Sequence, residues 1–211
     1  MDVKTAIQTG DAEALRRLLG EDGSCANALI SWGKNGEILT HPLHYVSDVV
    51  FEGHLKGGSE LPLIEALIEA GADLDFQKVR EDGKMSDTPL IGAASLGAEG
   101  LKLLSAGARP EVRGLFGETA LHWAALLGED RLAEKLIAGS DVNLKDGKYQ
   151  SSPLGWAIHG CYNQPPGKRG RQREVAALLV SAGAAVESSW LESEQVLADA
   201  AMLAVLRPRT S

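Results

Sequence analysis

Apolar and polar positions along this chain fall into a pattern that returns four times. Each copy opens on a small polar residue or a histidine, enters a short apolar block and gives way to small residues: His41-Pro42-Leu43-His44, Thr88-Pro89-Leu90-Ile91, Thr119-Ala120-Leu121-His122 and Ser152-Pro153-Leu154-Gly155. A second phrase follows each copy, as Ala70-Gly71-Ala72, Ala106-Gly107-Ala108, Ala138-Gly139-Ser140 and Ala182-Gly183-Ala184. Self-similarity at a period of a few tens of residues predicts stacked repeats, each burying its apolar face against its neighbours. Such an array offers a surface assembled from many repeats, so binding is the first function to expect.

The pattern inside one copy predicts two helices. Thr119 stands where its hydroxyl can cap free helix N–H groups. Leu121, Ala124 and Ala125 follow as an apolar stripe at helical spacing, and Gly128 ends the helix. Leu132, Leu136 and Ile137 form the inward face of a second helix that Gly139 closes. Pro42, Pro89 and Pro153 sit just after the cap, where a fixed φ helps and a missing N–H costs nothing. Ala93, Ala94, Ala124, Ala125 and Ala157 are small enough to let helices approach closely. Asp82-Gly83, Arg113-Gly114 and Asp146-Gly147 between copies suit tight hairpin turns.

The phrases TALHWAALLG (119–128), TPLIGAASLG (88–97), SPLGWAIHG (152–160) and HPLHYVSD (41–48), with the exits EAGADLD (69–75) and AGSDVN (138–143), resemble the ankyrin repeat family. The resemblance covers roughly residues 1–187. It implies an all-α solenoid of helix–turn–helix pairs with β-hairpin or loop fingers along one edge, about five repeats plus a C-terminal helical cap. A single domain over 1–211 is expected, with an N-terminal capping repeat at 1–39, repeats at 40–84, 85–115, 116–148 and 149–187, and a cap at 188–211. At the start, Leu15, Leu18 and Leu19 read as inward and Glu13, Arg16 and Arg17 as outward; at the end, Val196, Leu203 and Leu206 keep helical apolar spacing. The copies begin 47, 31 and 33 residues apart, so the array is uneven. Insertions at 50–61 and 161–173 fall between the two helices of their repeats and are expected as exposed loops. The second reads Pro165-Pro166-Gly167-Lys168-Arg169-Gly170-Arg171 and carries the basic run Lys168, Arg169, Arg171 and Arg173.

Charge and chemistry narrow the function. The 211 residues hold 21 basic and 29 acidic side chains, net −8, which argues against a general nucleic-acid binder and suits a basic partner. Hydrophobic residues make up 44%, enough for a continuous core. No run approaches a membrane span and no secretory leader is evident, and Cys25 and Cys161 form no short-spaced metal or redox pair. A cytoplasmic monomer without catalytic, metal or cofactor residues is expected. His44 and His122 occupy the family's histidine position, which resembles a structural bond between neighbouring loops. Tyr45, Trp123 and Trp156 share one position and are expected to pack, half-buried.

The positions that the family leaves variable give the candidate partner-binding surface. They are Lys84, Met85, Asp87, Ser95 and Leu96; Leu115, Phe116, Glu118, Leu126 and Leu127; and Lys148, Tyr149, Ser151 and His159. Phe116 and Tyr149 are the expected anchors, Met85, Leu115 and Leu126 the apolar centre, and Asp87, Glu118 and Lys148 the charged rim. Recognition of a protein through the concave finger and inner-helix surface is the leading expectation. An inhibitory or immunity-type protein that neutralises a basic enzyme or toxin is a second. A small-ligand or enzymatic site at the insertions, around His54, His159, Cys161 and Arg171, is a third.

Overall fold

The computed structural model describes residues 1–55, 59–94, 96–163 and 170–207. Ser95, the middle of the first insertion, and Pro165, Pro166, Gly167, Lys168 and Arg169 of the second lie outside them. The chain is organised in two compact units, Met1–Val112 and Arg113–Ser211.

The first unit runs α1 (Val3–Thr9), α2 (Ala12–Glu21), β1 (Ile30–Trp32), β2 (Ile38–Thr40), α3 (Pro42–Phe51), α4 (Leu61–Glu69), α5 (Pro89–Ala93) and α6 (Ala98–Ser105). Packing separates these helices into two rows. Helix α1 lies on α3 and α3 on α5, while α2 lies on α4 and α4 on α6. The second unit runs α7 (Ala120–Leu127), α8 (Asp130–Ile137), α9 (Pro153–Asn163), α10 (Gln172–Ser181), α11 (Ser188–Leu191), α12 (Glu194–Leu197) and α13 (Ala200–Leu206). Here α7 packs on α9, α8 on α10 and α10 on α13. Each unit is thus a set of helix pairs whose equivalent members stack on one another.

Local chemistry sets the helix starts. Thr88 Oγ1 accepts from Ile91 N at 3.2 Å, and Asp2, Asp11 and Asp199 cap α1, α2 and α13 in the same way. Helix α3 starts on a histidine instead. His41 Nδ1 accepts from Leu43 N at 3.3 Å, and its ring stacks on Phe76 with centroids 4.8 Å apart. Pro42, Pro89 and Pro153 open α3, α5 and α9. The stripes of Leu43, Leu63, Leu67, Leu90 and Leu103 in the first unit, and of Leu121, Leu132, Leu136, Leu154 and Leu179 in the second, are all buried.

Side chains at the exits tie one repeat to the next. Asn27 bonds Gly71 O and Asp73 N, Asp75 bonds Arg109, and Asn143 bonds Gly183 O and Ala185 N. One polar residue per exit satisfies backbone groups that the following Gly-Ala turn leaves open. The small antiparallel pair β1–β2 pairs Ile30 with Thr40 and Trp32 with Ile38, and the Trp32 ring lies 5.6 Å from Tyr45. The finger at 78–86 has the expected turn. Gly83 takes φ +77°, Lys84 N donates to Asp82 Oδ1, and Val79 bridges Met85.

At the C-terminus, Arg173 grips Asp199 through Nε and a second nitrogen at 2.9 and 2.6 Å, and Tyr162 O–H donates to the same carboxylate. The Arg173 guanidinium holds the Asp199 carboxyl below its usual range. Arg171 pairs with Asp130 at 2.7 Å and with Glu174. Two members of the basic run are therefore engaged by carboxylates of the chain itself.

Candidate functional site

Two loops of the second unit meet at its inner edge. In the first, Gly114 N bonds Glu118 O, and Gly117, at φ +74°, completes the turn. In the second, Asp146 N bonds Ser151 O, and the left-handed residue is Gln150 at φ +53° rather than a glycine. Gly147 N donates to Phe116 O at 2.7 Å, and Arg113 reaches Gly117 O and Lys145 O, so the two loops are bonded side by side. A Cβ on Gly117 would lie 2.9 Å from Gly147 N, which explains a glycine there.

His122 fastens the same junction. Its Nδ1 accepts from Thr119 N at 3.1 Å, so the proton sits on Nε2, which donates to Leu144 O at 3.1 Å. The ring is fully buried, and burial pushes its pKa down to about 4. A neutral histidine with both nitrogens committed is a structural bond, not a base. His44 differs: its ring lies over Gly92 and 3.7 Å from Asp48.

Between the loops and the inner helices lies a cleft of about 520 Å³, lined by Phe116, Trp123, Leu126, Tyr149, Ser151, Gly155, Trp156, His159 and Asn163. The Trp156 ring meets those of Trp123 and Tyr149 edge to face at 5.4 and 6.0 Å. Two carboxylates brace this arrangement from below. Glu118 accepts from Trp123 Nε1 at 3.0 Å and from Phe116 N at 2.8 Å. Asp146 accepts from Trp156 Nε1 at 3.1 Å and from the N–H groups of Lys148, Tyr149 and Ser151. Burial alone would raise the Asp146 carboxyl, but these four donors hold it below its ordinary value. Lys148 extends across the mouth, its Nζ 4.4 Å from the Phe116 ring centre and 5.0 Å from that of Tyr149.

The structure thus brings Phe116, Leu126, Lys148, Tyr149, Ser151 and His159 together at one cleft. Tyr149 is 62% exposed, whereas Phe116, Leu115, Leu126 and Leu127 are half-buried. Glu118 is not a rim charge. It is fully buried because its two oxygens serve the loop N–H and the indole above it. Lys84 and Met85 are exposed on the finger of the first unit, and Asp87 and Leu96 are half-buried there. Trp123, Trp156, Asp146 and Asn163 belong to the cleft but were not among the residues expected from sequence. The signal was available in part, since both tryptophans share a repeat position and Asp146 precedes a turn glycine.

Cys161 is buried and His159 exposed two residues earlier on α9, so helix geometry turns them about 200° apart. They form no nucleophile–base pair. His54 is exposed beside Glu52 in the first unit. Among the described residues, no cluster of three or more His, Cys, Asp or Glu could hold a metal, and no helix is long and apolar enough to cross a membrane.

Capped helix pairs, glycine-marked exits and loop fingers define a helical repeat protein. Residues 51–146 match the family model for ankyrin repeats in three copies, so this stretch of the chain carries ankyrin repeats. No curated protein matches it. Ankyrin repeats are generally protein-interaction modules, typically without catalysis.

Proposed function

We propose that this chain recognises a protein partner through its finger and inner-helix surface, with the cleft of the second unit as the anchoring point. The observation that carries the reading is the aromatic lining formed by Phe116, Trp123, Tyr149 and Trp156, left open to solvent at Tyr149. Exposed aromatic side chains on rigid elements give contact area at low entropy cost, which is how hot spots are built. Separately, the finger of the first unit carries an exposed apolar pair, Val79 and Met85, flanked by Lys84. The net charge of −8 favours a basic partner, as expected of an inhibitor of a basic enzyme as much as of a scaffold.

Replacing Phe116 and Tyr149 together with Ala tests the reading. Binding of the partner recovered by affinity purification should weaken by at least ~2 kcal/mol in a titration with the purified proteins. The melting temperature should shift little, because neither ring lies among the fully buried core side chains. Arg16→Ala, on the outer face of α2, should leave both measurements unchanged. Unaltered binding by the double variant, with loss on reversing the charges of Lys168 and Arg169, would move the interface to the insertion edge.

A further inference from the structure

The cleft of the second unit carries a charge pattern that apolar docking alone does not require. Its two indoles each donate their N–H to a fully buried carboxylate, Trp123 to Glu118 and Trp156 to Asp146. An indole bonded to an anion presents a more electron-rich face, and cations are attracted to such faces most strongly at tryptophan. Among the described residues, neither carboxylate takes part in an ion pair. Their partners are backbone and indole N–H groups, which are dipoles, so the charge beneath the rings is braced but not neutralised. Nearby Arg113 donates to the carbonyls of Gly117 and Lys145. A buried negative charge is screened less than one in bulk water, so its field reaches the adjoining cleft.

The chain already places a cation at the mouth of this field. Lys148 rests its ammonium against the faces of Phe116 and Tyr149. Lys148 is itself exposed, on a long flexible stem, so it can be displaced without unfolding anything.

We propose that the cleft receives the side chain of an arginine from the protein partner, with Lys148 swinging out to make room. This rests on the reading of the cleft as the partner's anchoring point. Guanidinium suits the geometry better than ammonium. It is planar, weakly hydrated and able to stack on a ring while its edge donates hydrogen bonds. Ser151, His159 and Asn163 line the same cleft and carry acceptors for that edge. The volume of about 520 Å³ accommodates the whole side chain.

The test uses the full-length protein and N-acetyl-arginine methylamide as probe, followed by the indole N–H resonances of the four tryptophans. Trp123→Phe and Trp156→Phe assign the two that matter. Arginine should shift the Trp123 and Trp156 signals saturably and leave Trp32 unmoved. The neutral citrulline analogue should bind at least ~10-fold more weakly, and the lysine analogue should fall between them. Lys148→Met, which keeps the stem and removes the competing charge, should tighten arginine binding by about 3-fold or more. Equal binding of citrulline, weaker arginine binding by Lys148→Met, or no saturable shift with arginine would each overturn the proposal. The Phe116→Ala, Tyr149→Ala experiment reports separately. If it weakens the partner while arginine fails to bind, the cleft is an anchor of a different chemistry.

Discussion

At the scale of single residues, buried polar groups set the molecule's sensitivities. Glu99 is fully buried in α6, where it accepts from Ser47 Oγ at 3.1 Å, and neither its other oxygen nor Glu60 Oε2 has a hydrogen-bond partner among the described residues. Burial, with the nearby Glu60 charge, pushes its pKa up to about 8 despite the Ser47 bond. The unfolded chain releases this proton near pH 4.5 and the folded one near 8, so stability falls as pH rises across that window. His41 and His122 act in the opposite direction. Their folded pKa values are about 4 against 6.5 unfolded, so the unfolded state takes up protons first and stability falls as pH drops from 6.5 to 4. Glu99→Gln should therefore gain on the wild type by about 1–3 kcal/mol between pH 5 and 8 in urea unfolding. A pH-independent difference would mean that Glu99 ionises normally. Gly160 makes a second case. A Cβ there would run into Leu126 O across the α7–α9 contact, so Gly160→Ala should cost about 1–3 kcal/mol by overpacking. A change within ~0.5 kcal/mol would mean that the two helices can move apart freely. Neither residue announced itself in the sequence: a glutamate at an amphipathic position reads as exposed, and a helical glycine gives no sign of the carbonyl it faces.

At the scale of elements, the sequence was legible wherever local chemistry decided the structure. Thr88, Thr119, Pro42, Pro89 and Pro153 mark helix starts, and Gly128 a helix end at φ +76°, because caps and positive φ depend on a few adjacent atoms. The turns were legible only in part. Asp82-Gly83 forms the expected turn, but in the next two loops the left-handed position falls on Gly117 and Gln150, since bonds from the loop N–H groups to Glu118 and Asp146 and the Gly147–Phe116 bond between the loops set their conformation. The strands β1 and β2 lie in a segment that carries no repeat phrase, and their pairing rests on Gly33 and Gly36 at φ +83° and +70°. The terminal cap depends on one residue in several roles. Asp199 accepts from Met202 N to cap α13, binds Arg173 through two nitrogens and accepts from Tyr162. Asp199→Ala should lose the cap, worth about 1 kcal/mol, together with the pairing that docks α13 on α10. Amide hydrogen exchange should then show α13 deprotected while α7 and α9 keep their protection. Equal loss of protection in all three helices would mean that the cap is integral to the unit's folding.

At the scale of the whole molecule, a repeated phrase read from sequence agrees with the match of residues 51–146 to ankyrin repeats. The leucines and alanines common to the copies are spent on stacking, while Phe116, Lys148 and Tyr149 contribute to no fully buried layer. Phe116, Leu126, Lys148, Tyr149, Ser151 and His159, singled out from sequence as partner-facing, lie at one cleft, because equivalent positions of neighbouring repeats stand side by side. The residues that brace the cleft were not legible, since tryptophans at a repeat position read as packing and the burial of Glu118 and Asp146 depends on which N–H groups surround them. Seating of a partner protein on this cleft can be read from a photo-crosslinking amino acid placed at position 149. A second copy of the experiment places it at position 16, on the outer face of α2, as the reference. Partner adducts are expected at 149, suppressed by excess unlabelled protein, and none at 16. Adducts at 16 with none at 149 would contradict that seating.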